Sequence, residues 1–194
     1  MRQTKDHLLR AMLWGSAFVS VAVLVTIVGY LFYKGFSYIS FDFIFGDYSP
    51  VGGGGIFPMI VTTIYTIIIS LIIATPIGIL AAVYLQEYAK QGRLVRIIRY
   101  ATESLTGIPS IIYGLFGAVF FVAILKLGMS IIAASLTLTI IVLPVIIRTT
   151  EEALKTVPAS YREGSLALGT TKLQTLYKVI LPSAMPGILS GIIL

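Results

Sequence analysis

Four stretches without a charged residue, at positions 11–33, 48–86, 104–125 and 127–147, constrain this chain more than any other feature. About 20 apolar residues in helical form cross the hydrocarbon core of a bilayer, and each stretch is long enough. The second is too long for one crossing and must contain a loop, which the glycines at 52–55 and Pro58 supply; its helix is expected at 58–85. Buried helices of a large soluble protein would be shorter and would show an amphipathic period, which these windows lack. Composition agrees: 57% of residues are hydrophobic and 11% charged, against roughly 25% charged in a soluble domain.

A fifth uncharged window, 179–194, has neither cap nor basic flank and is expected to be part of a longer span. Orientation follows from lysine and arginine, which favour the cytoplasmic side. With the N-terminus in the cytoplasm, Arg2, Lys5, Arg10, Lys90, Arg93, Arg96, Arg99, Arg148, Lys155, Arg162, Lys172 and Lys178 fall inside, and only Lys34 and Lys126 fall outside. The opposite topology would put those twelve on the wrong side. The net charge of +6 therefore reflects membrane topology, and no nucleic-acid partner is expected. The first apolar run exceeds a signal-peptide core and lacks a small-x-small cleavage site, so it reads as a retained helix.

Other classes are thinned by what the sequence lacks. There is no cysteine, which excludes disulfides and thiolate metal sites, and His7 alone cannot build a histidine site. No G-x-x-x-x-G-K-[ST] run is present to hold ATP. The 52–55 glycines lack the following lysine and hydroxyl residue and read as a flexible outer loop. The acids show no hydrolase-like pairing. Neither enzyme chemistry nor a cofactor or metal is expected.

Between the fourth and fifth windows lies a basic, patterned loop of about thirty residues, enough to dock a soluble partner. Ser160-Tyr161-Arg162-Glu163 fits a capping box, predicting a short helix over 161–168. Gly169 suits the left-handed residue that closes a helix. Thr171-Lys172-Leu173-Gln174 offers a second cap and a helix reaching Leu181-Pro182. Helix, glycine turn and helix would leave Leu166, Leu168 and Leu173 free for a hydrophobic contact. Gly164 within the first helix costs about 1 kcal/mol relative to alanine, and close approach by another backbone would offset it. The alternative is an amphipathic elbow lying on the lipid surface.

These residues resemble the EAA loop of ABC-importer membrane subunits: Glu163-Gly164-Ser165, Gly169, Val179 and Leu181-Pro182. Gly164-Ser165 replaces two alanines and Val179 the usual isoleucine, small-for-small and aliphatic-for-aliphatic changes that are compatible with docking. Three further runs resemble the phosphate-specific branch. They are Gly54-Gly55-Ile56-Phe57-Pro58, the stretch 107–117 (GIPSIIYGLFG), and the stretch 143–151 (LPVIIRTTE), whose Arg-Thr-Thr-Glu is closer to the A-type permease than to its C-type sister. The resemblance covers about 54–194. It implies an all-α, MetI-like permease bundle of about six transmembrane helices, about five of them in this chain with the last incomplete. Residues 1–55 would form an N-terminal helix and outer loop, and 56–194 the permease core with a cytoplasmic coupling loop at 150–180. It further implies a multi-pass cytoplasmic-membrane subunit that pairs with a second, C-type permease. Two cytoplasmic ATPase subunits would grip the coupling loop through Glu163, Gly164, Ser165, Leu166, Gly169, Leu181 and Pro182. An extracytoplasmic binding protein would deliver phosphate. The rivals are a permease for another oxyanion, molybdate or sulfate, and a carrier or channel outside the ABC class.

Arg148 and Glu151, three apart on one helical face, form the candidate substrate pathway. A guanidinium fork matches the oxygens of phosphate, and Glu151 would partner it when no anion is present. The plain alternative is an arginine snorkelling to the headgroups beside a local ion pair. Glu103, at the start of the third window's helix, either faces the path or caps that helix. Pro76, Pro109 and Pro144 are placed within spans, and Gly107, Gly114 and Gly117 are read as packing positions.

Overall fold

The computed structural model describes residues 2–49 and 54–193, so Gly52 and Gly53 of the expected outer loop lie outside the described residues. The chain divides into two compact units, 1–61 and 62–194. In the first, α1 (Arg2–Gly35) carries an apolar stretch long enough to cross a membrane. Hydroxyls in its apolar stretch return to the helix's own carbonyls: Ser20 donates to Ser16 O at 2.9 Å and Thr26 to Ala22 O at 2.7 Å. With Ser16 donating to Leu13 O, these three hydroxyls are satisfied within the helix, as a lipid-facing segment requires. A 3-10 turn (Phe36–Tyr38) leads to α2 (Phe41–Phe45), whose N-cap Ser40 accepts from Phe43 N. Gly54 and Gly55 are packed rather than loose. A Cβ on Gly55 would lie 2.1 Å from the Gly46 carbonyl oxygen, and one on Gly54 2.1 Å from Ser49 N. The flexible loop expected there is, at these two glycines, a close backbone approach.

The boundary between the units falls near the start of α3 (Phe57–Val83), which continues as a π-helical turn, Tyr84–Tyr88. This agrees with the helix expected at 58–85. The third window is different. It was expected to form one span from Ser104, but the chain breaks into α4 (Arg93–Thr106) and α5 (Ser110–Gly117), the latter extended by π turns to Ile124, and the two parts meet at 95°. The cause is local. Pro109 has no N–H and its ring pushes Ile108 out of the helical region, so α4 ends at Gly107 and α5 starts afresh behind Pro109 at ψ 134°. Pro109 is thus at a joint, whereas Pro76 and Pro144 do lie inside helices, as does Pro186.

The centre of the second unit is α6 (Ile131–Thr156), capped by Ser130 and packed against α4, α5 and α9 (Leu181–Ile193). Small residues set these approaches. A Cβ on Gly117 of α5 would lie 2.1 Å from Thr137 Oγ1, and one on Gly191 of α9 2.5 Å from Thr149. Gly187 stands one turn before Gly191, against Ala153. This spacing of small residues lets helices meet in an apolar medium, where dispersion and not water exclusion holds them. Of the three glycines read as packing positions, Gly117 is one; Gly114 meets nothing within 4 Å. Near the basic end a buried cluster of Val83, Ala153, Leu154, Val157, Ile180, Ala184 and Ile188 joins the ends of α3, α6 and α9. Four helices, or five with the bent pair counted as one span, are long and apolar enough to cross a membrane among the described residues.

Candidate functional site

The basic segments after α3 and after α6 lie at one end of the unit, joined by ion pairs across long sequence separations. Arg148, in the last third of α6, extends towards α4: its Nη1 donates to Glu103 Oε1 at 2.9 Å, and its Nε to Glu152 Oε1 at 3.3 Å. Glu151 points elsewhere, accepting from Arg99 Nε at 3.0 Å. The expected Arg148–Glu151 partnership is therefore not formed. Residues three apart share a face only loosely, and α4 offers each one a better-placed opposite charge: Arg99 for Glu151, Glu103 for Arg148. Glu103 sits near the end of α4 and not at a helix start, so it does not cap.

Arg148, Glu151 and Glu103 nonetheless line one cavity of about 170 Å³, together with Arg99, Glu152 and Lys155. Three cations and three carboxylates balance there. The two pairs differ in character. Glu151 is buried and Arg99 is tied further to Gln91, Gln86 and the Leu85 carbonyl, a cross-brace between α3, α4 and α6. Arg148 and its two acids are about half or more exposed, so these pairs are solvated and weakly held, and an anion placed there would compete with them. Lys155 makes no ion pair among the described residues and adds an unclaimed positive charge.

Beyond α6 the chain forms the elbow. Helix α7 (Ala159–Ala167) starts directly behind Pro158, whose extended ψ of 141° sets the entry. Helix begins one residue before Ser160, so Ser160 is already inside the first turn and the expected Ser160–Glu163 capping box is absent. Gly169 has φ +80°, the left-handed conformation expected of it. The second cap is present as read. Thr171 Oγ1 accepts from Gln174 N at 3.3 Å and Gln174 Oε1 from Thr171 N at 2.9 Å, opening α8 (Lys172–Thr175). A π turn, Leu176–Ile180, leads on to α9. Glu163 and Gly164 face outward, with open space at Gly164, and Leu166, Leu168 and Leu173 are exposed. Ser165 turns inward, its hydroxyl 2.8 Å from that of Thr170 and 3.0 Å from that of Thr175. This hydroxyl triangle braces the glycine turn from within. Leu181 is half-buried and Pro182 exposed at the head of α9.

Arg162 was not singled out in the sequence, yet it anchors the elbow. It donates to the Leu154 and Val157 carbonyls at the end of α6 (3.0 and 2.9 Å) and to Glu87 Oε1 at 2.7 Å. Lys172 bonds the Glu87 carbonyl and stands over the Tyr88 ring at 4.9 Å. Both halves of the elbow are thereby tied to the π turn that ends α3. Nothing local announces a partner 75 residues away; the signal was an arginine early in a short helix beside otherwise unsatisfied terminal carbonyls.

A set of apolar spans with a projecting basic elbow has known counterparts. The profile of the family described as "Binding-protein-dependent transport system inner membrane component" matches residues 74–194, more than half of the chain. This chain belongs to that family. It is 37% identical over its whole length to the Bacillus subtilis "Probable ABC transporter permease protein YqgI", covering 66% of that protein. It is 39% identical over 141 residues to Mycobacterium tuberculosis "Phosphate transport system permease protein PstA 1", covering 73% of this chain and 46% of that one. The chain thus spans about two thirds or less of the length of these relatives. Among solved structures, an inward-facing conformation of the MetNI methionine ABC transporter is similar, with a TM-score of 0.58 at 28% identity, over 71% of this chain and 64% of that one. The fold is accordingly the all-helical, multi-pass membrane domain of that permease family.

Proposed function

We propose that this chain is the A-type permease subunit of an ATP-driven importer that moves inorganic phosphate across the cytoplasmic membrane, N-terminus inside. It pairs with a second, C-type permease and is served by an extracytoplasmic phosphate-binding protein. Two cytoplasmic ATPase subunits supply the energy through the elbow, with Glu163, Gly164, Leu166 and Gly169 at its tip, Ser165 bracing it, and Leu181 and Pro182 carrying it into α9. The observation that carries the cargo is similarity to proteins named phosphate transport permeases, among them one from Pasteurella multocida at 33% identity over the whole chain.

The charge cluster suits that cargo. Arg148 presents a planar fork to tetrahedral oxygens, and Glu103 and Glu152 hold it when no anion is present. An entering phosphate exchanges places with the carboxylates, and their return helps expel it. Glu151 and Arg99 keep α4 and α6 in register, so the exchange is confined to Arg148. The test is labelled phosphate uptake by the intact transporter in proteoliposomes. Uptake should need ATP and the ATPase subunits, and a hundredfold excess of molybdate or sulfate should leave it intact. Equal competition by either anion would overturn the cargo, and uptake without the ATPase would overturn the class.

A further inference from the structure

We infer that α4 is an in-plane membrane helix whose amino end binds the headgroups of anionic phospholipids. This rests on the membrane placement of the chain, not on its cargo. Helices α4 and α5 are together long and apolar enough for one broken span. Helix α5 packs against α6 and α4 turns from it by 95°, which, with α5 crossing the bilayer, lays α4 towards the membrane plane at the basic end. At about 100° per residue its surface divides into three faces. Val95 and Arg99 face the bundle, one buried and the other bonded to Glu151. Arg93, Arg96 and Tyr100 are exposed on a second, polar face. The third is an apolar stripe of Leu94, Ile97, Ile98, Ala101 and Leu105, all exposed; Leu94 is 70% and Ile97 63% accessible. An apolar stripe beside a basic face, on a helix lying at a membrane surface, is the pattern of an interfacial helix.

The amino end of α4 selects the charge of its occupant. Its first turn contains no acid, its N-cap Gly92 offers no side-chain bond, and Arg93 and Arg96 stand where the helix dipole is positive. Taken alone, that arrangement is unfavourable. Lys90, Arg93 and Arg96 also make no ion pair among the described residues. A cleft of about 310 Å³ opens there between Gln91, Gly92, Arg96 and Arg99. A lipid phosphate resolves each of these at once: it accepts from the free backbone N–H groups, opposes the dipole and neutralises the arginines, while its acyl chains cover the stripe.

This sequence has no cysteine, so with any cysteines elsewhere in the transporter replaced by serine a single fluorophore can be placed at Ile97→Cys in the intact transporter and read in nanodiscs. Brominated phosphatidylcholine and brominated phosphatidylglycerol should both quench it, the anionic lipid several-fold more effectively. In the Lys90→Gln, Arg93→Gln, Arg96→Gln variant quenching should persist and the preference should vanish; Arg93→Lys with Arg96→Lys should keep it. Absence of quenching by either lipid would mean that protein or water covers the stripe and would overturn the inference. Equal quenching by the two lipids in the unmodified background would overturn headgroup selection. The lysine variant keeps the charge, so a preference it retains excludes misassembly as the cause of the loss.

Discussion

Arg148 of α6, paired with Glu103 and Glu152, and Arg99 of α4, paired with Glu151, line one cavity, and the structure separates their tasks by burial. Arg148 is held by exposed acids, as the proposed exchange with phosphate requires, so Arg148→Gln should abolish phosphate uptake while the transporter still assembles and binds ATP. Persistent uptake in that variant would reduce Arg148 to an anchor in the headgroups. Arg99 belongs to a bonded network around the buried Glu151. Glu151→Gln should therefore lower thermal stability by roughly 1–3 kcal/mol, the usual range for a charged hydrogen bond left incomplete. A double-mutant cycle with Arg99→Gln should show strong coupling between the two sites. An unchanged melting temperature in Glu151→Gln would count against the brace. The sequence made Arg148, Glu151 and Glu103 visible as unusual charges near spans. It did not show who bonds to whom, because Glu103 and Arg148 are brought together across 45 positions by the break in the chain.

Among the elements, the spans were legible from charge-free length alone, and α3 falls within a few residues of expectation. The joint at Gly107–Pro109 was not, although its residues were in view. Cutting the sequence at charges hides a helix such as α4, in which arginines and leucines alternate by face. Packing of α6 with α9 depends on glycine at 187 and 191, and this gives opposite expectations for two glycines. Gly191→Val would drive a side chain into Thr149 and should destabilise the subunit by about 1–3 kcal/mol, seen as a lower melting temperature and poorer recovery in detergent. Gly114→Ala meets open space in α5 and should be neutral or stabilising by up to about 1 kcal/mol. If the two behave alike, close approach is not what fixes α9 on α6.

Across the whole molecule, the elbow gains its meaning from what it is fastened to. Helix α7 is bound to the last carbonyls of α6 and to Glu87 through one guanidinium, and α8 reaches the same turn through Lys172. Three spans therefore converge on the elbow: α6 before it, α9 after it and α3 beside it. In the proposed importer a push on its exposed leucines would be delivered to all three, and the π turns ending α3 and preceding α9 are where those helices would yield. Substitutions at the tip and at this fastening should share a phenotype although they touch different partners. Glu163→Ala removes an outward charge, Gly169→Val forbids the left-handed turn, and Glu87→Gln loosens the strut to α3. Each should leave assembly and basal ATP hydrolysis in place while phosphate moved per ATP falls several-fold. Measuring uptake and hydrolysis in the same proteoliposomes decides it. If Glu87→Gln lowers both in proportion, the ratio stays constant, and Glu87 supports only the subunit's stability. If the ratio falls in all three variants, motion reaches α3 through Arg162 as well as through the backbone of α6.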